Sequence, residues 1–446
     1  MNKLAHSLTD TSNVWGLFKR NWLLLLATSI FLVVTLFQVF TAPLGAVPDE
    51  AYHYRAIQQH ATQWSPVLDK QTDFTLTGDL TRNPSYLYHY LFSFPYRVLT
   101  HFNLSDQAKQ NSIGIMTTLL GLLTIYILYT LLRRVTTKKI ATQSVAVFAL
   151  LPITSIVFAG PNYDNLLLPV IFLSLYLLVG LYKKFDMTMA ILFISLLTIG
   201  SLIKFAYGPI ALGAGLYFLF IIKKHFDEIK KYRLPSSLSK RLILAASCIL
   251  LLGSLGLAVE RYGGNMVRYY SPQPACERVQ PRDKCLQYSV NNRNYYATIA
   301  NKQKPRKDVV SYAVIDWFRN MVRGVVYPSP LLSLRFVIMG YVALGLFAVL
   351  LHKRTGYSPV TYAWLLLGIS VFYTFVIFTE NYRTLLKLGE PFAINGRYLL
   401  PIIPFLLVTS QANILVWKTK YPKAIVATGY TSLAFLMVAN VKIVIG

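Results

Sequence analysis

The chain has 446 residues, 54% of them hydrophobic and only 14% charged, with a mean hydropathy of +0.46. A soluble domain carries about 25% charged residues, so this composition leaves too little polar surface for a water-soluble fold. The formal net charge of +26 would suggest nucleic acid in a soluble protein. In so apolar a chain, basic loops against anionic lipid headgroups explain it better, and no nucleic-acid partner is expected.

In chain order, the first apolar run covers 22–40. It is longer than the roughly 7–15 residues of a cleavable signal core and is read as an uncleaved first span. Further runs long enough to cross a bilayer as helices lie near 111–132, 141–159, 165–182, 186–203, 206–222, 241–259, 331–352, 359–379, 397–417 and 423–445. The stretch 84–102 is apolar and aromatic but interrupted by Pro95 and Arg97. The expected fold is an all-α polytopic membrane protein of about 11 transmembrane helices, a single transmembrane domain over 1–446.

Lys and Arg concentrate in short loops at 133–139, 183–184, 223–241, 352–354 and 418–423, which the positive-inside rule assigns to the cytoplasm. That alternation works only if 84–102 is interfacial or re-entrant. It puts the N-terminus inside and two long loops, 41–110 and 260–330, outside an inner (plasma) membrane of bacterial type. The first loop then carries juxtamembrane helices. Cys276 and Cys285 fall in the second, where a disulfide could persist, two free thiols being the alternative; Cys248 lies in an apolar run.

Chemistry-capable residues gather at the outer ends of several spans. The first loop opens with VPDEAYHY: Pro48 suits a helix start, Asp49 and Glu50 its first turn, and His53 lies one turn after Asp49. If both are helical, those two acids differ in facing by roughly 100°, so only one is expected to point into a site. Asn162, Asp164 and Asn165 stand between two spans, Lys204 ends another, and Glu390, Asn395 and Arg397 precede a late one. Ionisable groups at the hydrocarbon boundary are costly and usually paired, which makes them functional candidates. A solvated, capped interfacial helix is the plain alternative for the first acids, and snorkelling for Lys204. The acids near His53 could hold a divalent cation, though their spacing specifies none. His89 and His101 read as interfacial side chains. The aromatics Tyr86, Tyr88, Tyr90, Phe92, Phe94 and Tyr96 read mainly as a membrane-interface belt, with a sugar- or lipid-stacking platform as the sharper reading.

Five segments, VPDEAYHY, RNPSYLYHY, PNYDNLL, LIKFAYGP and NGRYLLP, taken in order over nearly the whole chain, resemble the GT-C superfamily of integral-membrane glycosyltransferases. More narrowly, they are similar to an uncharacterised bacterial family of polytopic proteins related to it. The resemblance implies a long first outer loop packed on the bundle and a polyprenyl-phosphate-linked sugar donor. By position, Asp49 would deprotonate an acceptor hydroxyl. Lys204, Arg397 and Tyr398 would hold the leaving phosphate, and Glu50, Asn162 and Asp164 would orient the acceptor or a metal ion. His53, Arg82 and Glu390 complete the expected substrate-binding set. Arg82-Asn83-Pro84-Ser85 stands where better-known members carry His-Pro-Pro or Lys-Pro-Pro.

The expected activity is therefore inverting transfer of a sugar from that donor to an envelope glycan, lipid or protein acceptor. A transporter or flippase of a lipid-linked saccharide is the alternative. It would place its binding groups near the midplane and show repeated halves, and no repeated halves are visible in the sequence.

Overall fold

The computed structural model describes residues 11–43, 45, 47, 49–68, 70–301, 308–325, 363–417, 436–438 and 440. Among them the regular structure is helical, without strands. Backbone groups in hydrocarbon must be satisfied within their own segment, and a helix does that.

Helix α1 (Thr11–Thr41) leads into the first long loop, which carries α2 (Glu50–His60) and α3 (Leu87–His101). The bundle continues with α4 (Asp106–Val135), α5 (Lys138–Leu150), α6 (Pro152–Ala159), α7 (Asp164–Lys183), α8 (Met187–Ile203) and α9 (Gly208–Lys224). Helix α10 (Leu238–Ala258) runs on through a wide π turn to Tyr269. Beyond it come α11 (Ser289–Ala300), α12 (Arg319–Val325), α13 (Ala363–Leu388) and α14 (Ile403–Trp417).

Six helical segments are long and apolar enough to span a membrane, seven if the bent pair α5–α6 counts as one. The expected count of about 11 is thus not reached among the described residues. The runs 331–352 and 423–445 lie outside them, apart from a few residues near 436–440, and 359–379 is described from 363 onward. The run 141–159 breaks at Leu151, where Pro152 starts a new helix bent by 60°. Helix α8 has 17 residues, about 25 Å of rise against a hydrocarbon core of about 30 Å. The run 397–417 opens as a short 3-10 turn, Gly396–Leu399, and α14 starts only at Ile403. The second long loop was expected to start at 260, but the helix continues to Tyr269 because Glu260 and Arg261 find partners in the first loop. Arg82 pairs with Glu260 at 3.1 Å, and Arg261 donates to the Thr81 carbonyl.

Helix α7 is the centre of the bundle, packed on α4 and α8, with α10 lying outside α8 and turning Leu242, Ile249 and Leu252 outward. Helix α3, at 15 residues with Pro95 inside it, is too short to cross and packs on α2. The ends of the bundle differ in character. At one, Lys183 donates to the Arg134 carbonyl, Lys224 to that of Tyr182, and Arg134 lies over the Tyr176 ring. At the other sit the long loops.

In the second loop Cys276 and Cys285 form a disulfide, and Cys248 is free. Under denaturing conditions without reductant, an alkylating reagent should therefore label one of the chain's three cysteines, and all three after reduction. Mass spectrometry of the alkylated chain checks this.

Candidate active site

Asp49 sits immediately before α2 with φ 60° and ψ 14°, in the left-handed region, and its side chain does not cap the helix. Its carboxylate pairs instead with the Arg397 guanidinium. Arg397 is buried, whereas the Asp49 side chain is 55% exposed. Burying an unpaired guanidinium costs several kcal/mol, so this partner is a structural need as well as a chemical opportunity. Pro48 lies outside the described residues.

Glu50 points elsewhere, and because Asp49 lies outside α2 in the left-handed region the difference is not the helical offset expected of two residues within one helix. Its carboxylate accepts from the Gly45 and Val47 backbone N–H groups at 2.9 and 3.4 Å and from Gln110 at 3.0 Å. Burial raises its pKa, and those three hydrogen bonds oppose the rise. Gly160 leaves room for it, since a Cβ there would stand 2.6 Å from Glu50 Oε1 and push that side chain aside. Glu50 thus pins the entry to α2 against the α6–α7 turn and α4.

The α6–α7 turn supplies the next group. Asn162 Oδ1 accepts from the Asp164 N–H at 2.9 Å, and the Asn162 N–H donates to the Tyr88 hydroxyl at 3.0 Å. Asp164, at the start of α7, pairs with Lys204 at 2.7 Å, both side chains 7% exposed. Lys204 leaves the end of α8 in extended conformation, which turns its ammonium inward over the rings of Tyr163 at 4.4 Å and Tyr398 at 4.7 Å. Arg397 lies 5.3 Å from the same Tyr398 ring. The two ion pairs are therefore one cluster, joined through Tyr398.

The Arg397 turn is set from two sides. Asn395 Oδ1 accepts from the Arg397 N–H at 3.0 Å, and the Tyr373 hydroxyl donates to the Tyr398 carbonyl at 2.9 Å. On the second side Gly396 meets Gly324 of α12 backbone to backbone. A Cβ on Gly324 would fall 2.2 Å from the Gly396 nitrogen. The second long loop is in this way seated on the turn that presents Arg397.

Of the expected residues, Asp49, Asp164, Lys204, Arg397 and Tyr398 converge, with Asn162 holding the turn and His53 packed alongside. Arg82 is drawn to Glu260. Glu390 pairs with Arg293 of α11 at 2.9 Å, both exposed. Tyr163, between two residues already singled out, was missed although it carries Lys204; Gln110 and Gly324 left no local signal. His89 is not interfacial: it is fully buried against His53. Nor are Tyr86, Tyr88 and Phe92 a membrane belt; they are buried in the packing of α3. The acids do not gather around a cation site, since Asp49 and Asp164 face basic partners and Glu50 faces N–H donors. Among the described residues no three His, Cys, Asp or Glu side chains are placed to hold a metal ion.

Replacing Glu50 by Ala should strand two backbone N–H groups and cost about 1–3 kcal/mol. Asp49→Asn keeps an acceptor for Arg397 but removes the counter-charge of a buried guanidinium, and should cost about as much or more. Thermal unfolding of the two variants in lipid checks both costs.

Residues 94–247 match the family described as Dolichyl-phosphate-mannose-protein mannosyltransferase. That is less than half of the chain; it contains Asn162, Asp164 and Lys204 but neither Asp49 nor Arg397. None of the curated proteins matches in sequence. Among solved structures, the Archaeoglobus fulgidus oligosaccharyltransferase complexed with Zn and sulfate is similar at 13% identity and a TM-score of 0.48, over 94% of this chain and 53% of that one. Its apo form gives 15% and 0.44, over 96% and 55%. The complex of the archaeal oligosaccharyltransferase AglB from the same organism with an inhibitory peptide and a dolichol-phosphate gives 14% and 0.40, over 96% and 55%. The chain thus spans about half the length of these structures, at a similarity too low to carry an assignment. The matched segment, together with the apolar helices, supports a multi-pass membrane protein of glycosyltransferase type.

Proposed function

We propose that the chain transfers a sugar from a polyprenyl-phosphate donor to a hydroxyl of an envelope glycan, lipid or protein, with inversion, at the extracytoplasmic face. The observation that carries this reading is the four-charge cluster Asp49–Arg397 and Asp164–Lys204 around Tyr163 and Tyr398. The family match over 94–247 agrees with it, as does the resemblance of the five sequence segments to integral-membrane glycosyltransferases.

Two cations and two carboxylates sum to no net charge, so an arriving phosphate must displace a carboxylate. Asp49 is the one able to leave. It is half-exposed and sits on a loop, whereas Asp164 is buried at the head of α7. On this reading the donor phosphate takes the freed side of Arg397 and the ammonium of Lys204. Asp49, released toward water, accepts the proton of the acceptor hydroxyl. The acceptor oxygen attacks the anomeric carbon from the face opposite the phosphate, the bond from that carbon to the phosphate oxygen breaks, and polyprenyl phosphate leaves. Charge developing on the leaving oxygen is met by fixed cations in a low-dielectric site, where such stabilisation is strongest.

A transporter would hold its ligand near the midplane, but these groups stand at helix ends: before α2, at the start of α7, after α8 and before α14. The test is transfer of radiolabel from polyprenyl-phosphate sugars to an envelope acceptor by the protein in lipid. Asp49→Asn should lower transfer by about 10²-fold or more while donor binding persists. Lys204→Met should weaken donor binding itself. Transfer at the wild-type rate in Asp49→Asn would remove Asp49 as base. Absence of transfer with any donor, alongside flipping of the lipid in sealed vesicles, would replace the transferase by a flippase.

A further inference from the structure

Three histidines that the proposed chemistry does not use lie fully buried between α2 and α3. Their rings stack in the order His60, His89, His53. The first two are 6.3 Å apart and 8° from parallel, the second two 5.2 Å and 20°. The stack continues at both ends. Beyond His53 the Tyr163 ring stands edge-on at 4.4 Å, and the Lys204 ammonium sits 4.4 Å from that ring. Beyond His60 the Tyr86 ring follows at 6.3 Å, with the buried Arg261 guanidinium 4.5 Å from it. A column of aromatic rings is thus closed by a cation at each end.

Its hydrogen bonding adds a constraint. His53 Nδ1 and His89 Nε2 are 2.8 Å apart, so one carries the proton and the other accepts it. Charging both imidazoles would set two N–H groups against each other and break the contact. Ring nitrogens of His53 and His60 are buried without a hydrogen-bond partner, so a charged ring there would also lack compensation.

We propose that the imidazole column His60–His89–His53 is a positioning element of the anion-binding site, and that it works only while all three rings are uncharged. It steadies Tyr163 and Lys204 on one side. On the other it anchors the turn of α2 whose His53 N–H donates to the Asp49 carbonyl at 3.0 Å. The inference rests on the functional reading above for what the site binds.

The surroundings agree on sign. His53 faces Tyr52, Tyr88 and His89 from the two loop helices, Tyr163 from the α6–α7 turn, and feels Arg397 and Lys204. His89 faces Tyr52, Tyr88 and His60. His60 faces Tyr86 and Tyr90 and feels Arg261 and Arg97. Burial first, then His89, Arg397 and Lys204, holds His53 well below the usual imidazole range, and burial with Arg261 and Arg97 holds His60 at about 4. Burial, then His60, holds His89 at about 3 against a backbone hydrogen bond with Ser85 that raises it. A depressed histidine leaves stability intact above the unfolded pKa of about 6.5. Below that, the unfolded chain takes up protons that the folded one refuses, about tenfold in the folding equilibrium per pH unit and per histidine. The loss begins above the range in which ordinary carboxylates titrate.

The experiment uses the full chain in lipid nanodiscs between pH 7 and 5. It follows the ligand-free thermal midpoint and the dissociation constant for a polyprenyl monophosphate in parallel. In the wild type the midpoint should fall steadily below pH 6.5, while the dissociation constant of the folded chain should show no added loss from the column, because rings held at about 3 to 4 stay uncharged at pH 5. The fall should flatten in His89→Gln and in His60→Gln, the second variant serving if the first does not fold, and the dissociation constant at pH 7 should rise by about tenfold in either. The fall should persist, with the dissociation constant at its wild-type value, in His101→Gln, whose imidazole is exposed and outside the column. The phosphate's own titration is common to all variants and cancels in the comparison. A wild-type midpoint flat from pH 6.5 to 5, or slopes equal in wild type and column variants, overturns the proposal. Failure of the wild type to bind polyprenyl monophosphate at pH 7 fails the functional reading and with it the positioning role, whatever the midpoint does.

Discussion

A buried guanidinium has to be answered by a carboxylate, and much of this structure follows from the answer given to Arg397. Its partner, Asp49, lies 348 residues earlier in the chain. The buried guanidinium is costly without a counter-charge, whereas Asp49 keeps access to water. The pair therefore fixes the first long loop against the turn before α14. The backbone contact of Gly396 with Gly324 adds the second long loop to the same point. Lys204 and Asp164 satisfy the same requirement a few ångströms away, with Tyr163 and Tyr398 facing the ammonium.

That requirement explains why the first loop is folded as part of the bundle. Glu50 is tied to Gln110 of α4 and crowds Gly160, and the Tyr88 hydroxyl receives the Asn162 N–H. Ser85 Oγ receives the Phe205 N–H at 2.9 Å, directly beside Lys204. Each bond removes a backbone or carboxylate group that the membrane boundary would otherwise leave unsatisfied. Together they exclude water from one side of the charged cluster and leave Asp49 facing water on the other. The asymmetry between a buried cation and a reachable carboxylate is a product of this packing.

The sequence made parts of this legible for physical reasons. Charges at the ends of apolar runs stand out because lipid forbids them without cause, which exposed Asp49, Asp164, Lys204 and Arg397 as candidates. The divergence of Asp49 and Glu50 was expected from helical geometry, but it arises from the left-handed turn at Asp49, which no spacing rule announces. Partner choice does not: Arg82 and Glu390 carry the same signal but are claimed by Glu260 and Arg293, residues far away in the chain. Apolar content also cannot show whether a run is unbroken, so 141–159 and 397–417 read like full spans although each contains a turn. The aromatic residues of α3 misled in a related way. An alternating run of Tyr and Phe looks the same whether it faces headgroups or a neighbouring helix. Only the position of α2 decides that Tyr86, Tyr88 and His89 point inward.

The neutral sum of the cluster bears on turnover as well as on binding. A site with two unpaired cations would hold a phosphate strongly and release it slowly, because every step of departure would uncover a charge. In the proposed reaction the carboxylate displaced by the donor would remain tethered one residue before α2, at a high effective concentration. Once the sugar had moved and Asp49 had given its proton to water, the carboxylate would compete with the spent phosphate for Arg397. Its return would restore the resting pair. The ion pair that would oppose donor binding would then also drive product release, trading affinity for turnover. A transferase gains from that exchange when the lipid phosphate it liberates is the species it must let go.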